Sequence, residues 1–400
     1  MDKQNRAPAI VAGFIDKNGV TVLGRGKRED GKPGEVNGDT IFEIGSITKV
    51  FTSLLLQDMA DHGELQLDDL ITNFLPASVT VPSRKGRQIT LRHLAIHTSG
   101  LPRLPENLSS ENEDNPYADY TVEQMYEFLS HYKLRRDVGA KSEYSNFGMG
   151  LLRHILALKA GTNYEALVVQ RICEPLKMQS TRITLTPELQ AQYSGGHNES
   201  GSPVCNWDFP TLAGCGALRS SANDLLKLLS AEMGLTPSRL SGAMQKTQAP
   251  QKGGETGLGW QIETLGGFLW HNGGTGGYRL FIGFTKHHSL GVVVLANSAN
   301  DVDDIGQYLL GDRDNVEDFQ APKRHVETKI DYSLYGHYVG QYKLGWDAVF
   351  TVTRKDHQLF AQLTGQDAFE IFPESKADFF TKWWMRKSRS GPTKPAQSRI

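Results

Sequence analysis

Residues 9–15 form an apolar run, Asp16-Lys17-Asn18-Gly19 interrupts it, and apolar character resumes over 20–23. Run, turn and run predict an antiparallel hairpin, since Asp, Asn and Gly accept the dihedrals of a tight turn. A polar, glycine-rich stretch fills 24–39. From Ser46 the period changes: Val50, Phe51, Leu54, Leu55 and Met59 recur at helical spacing, and the pattern stops near Gly63. Helical or mixed stretches follow over 91–96, 122–129, 149–158 and 222–233, with a short helix predicted over 304–310. Strand-like runs return at 267–270, 278–285 and 290–297, the last two joined through Lys286-His287-His288-Ser289. A hairpin first, helices in the middle and strands last predict an α+β fold. One antiparallel sheet would be assembled from both ends of the chain, with helices packed beside it.

Around 321–328 the chain turns polar, which predicts a boundary. Short strands are expected beyond it at 338–342, 348–353, 359–363 and 369–372, a small all-β domain over 326–385. Residues 386–400 read as a basic tail, with Trp383 and Trp384 as anchors at its start. The catalytic part would then be 1–325.

Composition narrows the function. Forty-three basic and forty-five acidic side chains leave a formal charge of -2, so no whole-chain signal for nucleic acid or an anionic membrane exists. No apolar run approaches the length of a membrane span. The start lacks the basic and apolar regions of a leader. The location is thus read as periplasmic or secreted if a leader has been removed, and cytoplasmic otherwise. Cys173, Cys205 and Cys215 are too few for a disulfide framework and read mainly as buried thiols. No metal-ligand spacing appears, and no cofactor is expected. His93 and His97, four apart, have no third ligand and are taken as structural.

Three segments carry candidate chemistry. Ser46-Ile47-Thr48-Lys49 follows a short apolar run at the start of a helix. Positions i and i+3 share a helical face, so the hydroxyl and the amine can meet. A serine needs a base to become a nucleophile, and a buried lysine can serve as one. Tyr144-Ser145-Asn146 precedes another helix; a tyrosine can relay a proton, and an asparagine can hold both a lysine and a substrate carbonyl. His271-Asn272-Gly273-Gly274-Thr275-Gly276-Gly277-Tyr278 ends a strand. So many glycines suit either a β-turn or a backbone that approaches a partner closely. Each segment alone is a weak signal.

Together, in this order, they resemble the three motifs of the serine β-lactamase and penicillin-binding-protein superfamily. The likeness is to the class C β-lactamase-like branch, with its D-aminopeptidases, D-Ala-D-Ala carboxypeptidases and family VIII esterases. Flanking text agrees: Phe42-Glu43-Ile44-Gly45 before Ser46, Gly63-Glu64-Leu65-Gln66-Leu67-Asp68-Asp69, Ile89-Thr90-Leu91-Arg92-His93-Leu94-Ala95-Ile96-His97-Thr98-Ser99-Gly100, and Pro175-Leu176-Lys177-Met178 with Thr181. The resemblance spans about residues 8–310. It implies a β-lactamase/transpeptidase-like antiparallel sheet flanked by helices, with an all-helical subdomain within about 65–255. It also implies an acyl-enzyme at Ser46, proton transfer shared by Lys49 and Tyr144, and a site ordered by Asn146. The N–H groups of Ser46 and Gly274 would form the oxyanion hole, with Tyr144 preferred for activating the deacylating water.

The family's familiar members carry Lys-Thr-Gly at the third motif, whereas His271-Asn272-Gly273 stands here. A permanent cation is thereby replaced by a ring of part-time charge. His271 is counted with the catalytic group, and Asn272, Gly273, Gly274 and Tyr278 with substrate binding, Tyr278 serving either to line the cleft or to pack. Relatives also have a helix before the first hairpin; here about eight residues precede Ala9, and the helix over 304–310 would help cover that sheet face. The β-domain with Tyr338-Val339-Gly340-Gln341-Tyr342 resembles the short lipocalin-like domain appended to many relatives, which leaves open a homo-oligomer through its edge. The expected partner is a small-molecule or peptide substrate with an acyl carbonyl, hydrolysed as a β-lactam or related amide. The alternatives are a D-amino-acid peptidase, a carboxylesterase and a non-catalytic β-lactam-binding protein.

Overall fold

The computed structural model describes residues 7–28, 35–110, 112–252, 254, 256–263, 266–311, 327–343, 349–363 and 368–380. The basic tail and both of its tryptophans lie outside these. The chain divides into two compact units, Met1–Ala321 and Pro322–Ile400.

In the first unit, β1 (Ala9–Asp16) and β2 (Gly19–Gly26) form the opening hairpin. The Asn18 N–H donates to Asp16 Oδ1 at 2.7 Å across its turn. Next come β3 (Ile41–Glu43) and a 3₁₀ turn (Gly45–Ile47) that leads into α1 (Thr48–Asp61). The helical middle holds α2 (Leu91–Ala95), α3 (Val122–His131), α4 (Asn146–Ala160), α5 (Tyr164–Val168) and α6 (Pro187–Gln190). It continues through β4 (Arg219–Ser221), α7 (Ala222–Glu232) and α8 (Ser241–Gln248). The chain then returns to the sheet with β5 (Gln261–Glu263), β6 (Phe268–Thr275), β7 (Tyr278–Thr285) and β8 (Gly291–Ala296), and α9 (Asp303–Leu310) follows.

The six-stranded antiparallel sheet has the order β2-β1-β8-β7-β6-β5, so Val11 of the first strand sits opposite Leu295 of the last. Strand alternation sends Leu280, Ile282, Val293 and Leu295 into the main core with α1 and α7. It sends Phe281, Val292, Val294 and Ala296 into a second cluster closed by Val302 and Leu310. The helix expected over 304–310 therefore exists and covers that second face. Asp303 and Asp304 in its first turn suit the positive end of the helix, and Gly311, at φ 105°, ends it.

One strand differs from the sequence expectation. The strand predicted to end at 270 continues to Thr275, so Gly273 and Gly274 are paired residues and only Gly276-Gly277 form the turn. Glycine normally weakens a strand; here the absence of side chains lets β6 pack on the turn that carries Ser46, as shown below.

The second unit has a 3₁₀ turn (Tyr332–Leu334), α10 (Tyr335–Tyr338) and five strands: β9 (Gly340–Lys343), β10 (Val349–Lys355), β11 (Gln358–Leu363), β12 (Phe369–Pro373) and β13 (Phe379–Phe380). The strands form an antiparallel meander around Tyr335, Val352, Leu359, Ala361 and Ile371. Tyr338 closes a helix and does not begin the strand, which starts at Gly340.

Candidate active site

The run from Thr40 to Met59 is buried at every position but one, and the exception is Ser46. The apolar residues of β3 and α1 fix this turn in the core: Ile44 N–H donates to Leu218 O at 2.9 Å, and Ile47 N–H to Ile44 O at 3.1 Å. One turn on, Lys49 is completely buried. Its Nζ lies 2.9 Å from Ser46 Oγ and 2.6 Å from Cys215 O. A buried amine needs such partners, and here they leave it within proton-transfer distance of the serine.

Tyr144 and Asn146 arrive on a loop zipped to a second loop, 97–103. Glu143 N–H donates to His97 O at 2.8 Å and Phe147 N–H to Arg103 O at 3.1 Å. Ser145 caps α4 by accepting from Gly148 N–H at 2.8 Å, while its own hydroxyl donates to Pro102 O at 2.6 Å. The Tyr144 ring then has Lys49 Nζ 4.7 Å from its centroid, the His97 ring at 4.6 Å and the Arg103 guanidinium at 5.3 Å. Asn146 Nδ2 reaches Tyr117 OH at 3.4 Å, and its Oδ1 is buried with no hydrogen-bond partner.

Strand β6 approaches Ser46 through glycines. A Cβ on Gly273 would lie 2.2 Å from Ile44 O, and one on Gly45 would lie 2.6 Å from Gly274 N. Gly45 also sits at φ 48°, a conformation open to glycine at little cost. The backbones of the nucleophile turn and of β6 therefore touch. β5 pairs with β6 only over Phe268–Trp270, so among the described residues the edge from His271 to Thr275 has no strand partner on that side.

His271 is buried, with its ring 6.5 Å from that of Tyr144. Burial first, and the Lys49 charge second, push its pKa down to about 4. The ring is thus neutral near neutrality, which corrects the expectation of part-time charge. Its Nδ1 lies 2.6 Å from Asn272 O; a carbonyl can only accept, so Nδ1 carries the proton and Nε2 is an acceptor. His97 is likewise held well below the ordinary histidine range by burial, then by Lys49, His271 and Arg103. The His97 ring packs directly on Tyr144, and its Nδ1 accepts from Ser145 N–H at 3.2 Å.

Two expected substrate contacts lie elsewhere. Tyr278 is fully buried, its hydroxyl donating to Ser194 O at 2.6 Å and lying 2.7 Å from Tyr193 OH. It belongs to a buried group with Glu43, Tyr193 and Arg219 and packs rather than lines a cleft. Asn272 points its amide to the α9 side, where Nδ2 donates to Asp303 Oδ2 at 2.5 Å. Alternation along β6 causes this, since Asn272 and Gly273 occupy opposite faces. The site thus gathers Ser46, Lys49, Tyr144, Asn146, His271, Gly273 and Gly274, together with three groups the motifs did not indicate: Arg103, Tyr117 and the Cys215 carbonyl. Arg103 lies only three residues beyond the recognised 89–100 segment, and that proximity was its one signal.

A polarised serine, a buried lysine and a glycine-backed strand edge are the elements of an acyl-transfer site. The Beta-lactamase family model matches residues 1–312, and the chain belongs to this family. Residues 324–396 match a domain of unknown function (DUF3471), and the likeness to lipocalins has no support beyond the sequence expectation. The chain is 27% identical over 301 residues to the D-alanyl-D-alanine-carboxypeptidase/endopeptidase AmpH of Escherichia coli K12, covering 70% of this chain and 77% of that one. It is 26% identical over 388 residues to penicillin-binding protein 4* of Bacillus subtilis, covering 86% and 81%. A solved β-lactamase/D-alanine carboxypeptidase from Yersinia pestis superposes with a TM-score of 0.66 at 26% identity, covering 77% of this chain and 93% of the other. The protein is accordingly a hydrolase of the β-lactamase type with the class C fold. Among the described residues no helix is long and apolar enough to cross a membrane.

Proposed function

We propose that Ser46 Oγ attacks the carbonyl carbon of a β-lactam or related D-amino-acid amide, that an acyl-enzyme forms, and that water releases it. In the first half the Oγ–C bond forms and the C–N bond breaks, while the serine proton passes through Lys49 and Tyr144 to the leaving nitrogen. The N–H groups of Ser46 and Gly274 stabilise the oxyanion. In the second half Tyr144 takes a proton from water, the C–O bond to Ser46 breaks, and Ser46 regains its proton. Neutral His271 offers Nε2 as an acceptor beside Tyr144, and Asn146 orders the other flank.

The observation that carries this reading is the single opening in a buried run: Ser46 faces the cleft with Lys49 Nζ 2.9 Å away. Time-resolved intact mass with a chromogenic cephalosporin, read alongside hydrolysis in the same sample, tests it. A transient adduct with turnover, both lost in Ser46→Ala, is the expected result. The absence of any adduct or turnover would refute β-lactam recognition and leave a carboxylesterase.

A second reading, a D-Ala carboxypeptidase, is favoured by the neutral third motif, which lacks the fixed cation of the familiar β-lactamases. It predicts a persistent adduct with little turnover and release of D-alanine from a D-Ala-D-Ala peptide. A cell-wall substrate would place the work outside the cytoplasm, which cell fractionation tests.

A further inference from the structure

The third motif lacks a fixed cation, but the 97–103 loop brings one beside Tyr144. The Arg103 guanidinium lies over the Tyr144 ring, and its charge is felt at Tyr117, His97 and Cys215. The charge felt at His271 is that of Lys49. Arg103 therefore reaches Tyr144 from the 97–103 loop, a different element from β6. Its backbone is fixed by Phe147 N–H, so the side chain is presented from a pinned loop and not from a free one.

Among the described residues no carboxylate forms an ion pair with Arg103, and its Nη1 is buried with no hydrogen-bond partner. A buried, unsatisfied charged donor is costly, and a ligand that supplies an acceptor recovers that cost. Lys49 is fully buried and two of its three N–H donors are engaged at the reacting serine, by Ser46 and by the Cys215 carbonyl. The protonated nitrogen of His271 is spent on Asn272 O. Beside Tyr117 the buried Asn146 Oδ1 lacks a donor. One unmet cationic donor and one unmet acceptor fit an acyl chain that carries a carboxylate and an amide N–H.

We propose that Arg103 is a specificity-determining residue that binds a carboxylate on the acyl side of the substrate. This rests on the serine-hydrolase reading and adds the chemistry of the acyl group. The test uses two penicillins that differ by one carboxylate on the acyl side chain, carbenicillin and benzylpenicillin. Rates of Ser46 acylation are read by intact mass for the wild type, Arg103→Gln and Arg103→Lys. Arg103→Gln should slow acylation by carbenicillin roughly ten- to a hundredfold more than it slows acylation by benzylpenicillin, with Arg103→Lys between. Equal losses with both penicillins would mean that Arg103 acts through Tyr144 or the fold, and would overturn the proposal. No loss with either would overturn it as well.

If the wild type is acylated by neither penicillin, β-lactam recognition has failed, and the acyl preference is read from 4-nitrophenyl esters of glutaric and pentanoic acid. A preference for the glutarate that Arg103→Gln abolishes supports the proposal; equal rates, or a preference that survives the substitution, overturn it. A chain inert to both esters sinks the proposal together with the hydrolase reading.

Discussion

Gly273 and Gly274 are adjacent and both lie in β6, yet alanine at the two positions should have opposite consequences. A methyl group at 273 would stand 2.2 Å from Ile44 O and 3.1 Å from Ile44 C. Those are backbone atoms of the turn that carries Ser46, held in place by Leu218 O, and they have no rotamer to change. A carbon settles against a carbonyl oxygen at about 3.3 Å, so strand and turn must part by about 1 Å. A displacement of about 1 Å at a reacting centre can cost on the order of a hundredfold in rate. The fold should lose only about 1–3 kcal/mol, the usual range for overpacking. A methyl group at 274 instead meets Arg279 Nη1 at 3.0 Å and Cδ at 3.4 Å, the outer part of a side chain on the far face. Gly274→Ala should therefore acylate close to the wild-type rate. The assay is the rate of Ser46 acylation by a chromogenic cephalosporin, with a thermal melt of each variant. A Gly273→Ala protein that acylates as fast as the wild type would show that contact between β6 and the nucleophile turn does not set the site geometry. Equal failure of the two variants would show that facing is not what matters.

Lys49→Met removes the amine while nearly keeping its volume, and should cut acylation by about 10²–10⁴ with a folded protein by circular dichroism. Tyr278→Phe loses hydrogen bonds to Ser194 O and Tyr193 OH; it should cost about 1–2 kcal/mol in denaturant melts and leave acylation unchanged, whereas a selective rise in KM would restore Tyr278 to the cleft. Burial holds the His271 pKa at about 4, below the 6.5 of a free histidine, so between these values the unfolded chain binds the extra proton. Stability conferred by the neutral ring is complete above pH 6.5 and falls as pH drops toward 4; His271→Gln should flatten that acid limb, and an unchanged limb would count against a buried neutral ring. Glu232 has the opposite sign: burial raises its pKa to about 7, so ionisation costs stability as pH climbs from 4.5 through 7. Glu232→Gln should raise the melting temperature at pH 8 and do little at pH 5, as differential scanning calorimetry can check.

What could be read from the sequence depended on how local its cause was. Ser46 and Lys49 meet because three residues separate them on a helical start, which spacing alone specifies. The sheet joined from both ends was also legible, since the runs over 9–15 and 290–297 are apolar enough to require partners on both faces. Gly273 and Gly274 left two readings open for a physical reason: glycine suits a turn unless another backbone presses on it, and the pressing backbone lies more than two hundred residues away. The Cys215 carbonyl was hidden because every residue has one, and only topology brings this one to Lys49.

Tyr278 is the instructive miss. Following a glycine turn, it could serve a cleft or a core, but the parity of β7 decides. Tyr278, Leu280, Ile282 and Phe284 share one face, and all four lie in the main core. Counting alternate residues from the apolar end of the strand would have placed the ring in the core. The same count along β6 puts His271 and Gly273 on the nucleophile face and Asn272 and Gly274 on the other. The third motif therefore acts at Ser46 through one neutral ring and through exposed backbone. Among the described residues two cations lie beside Tyr144: Lys49, bonded to Ser46, and Arg103 on the facing loop.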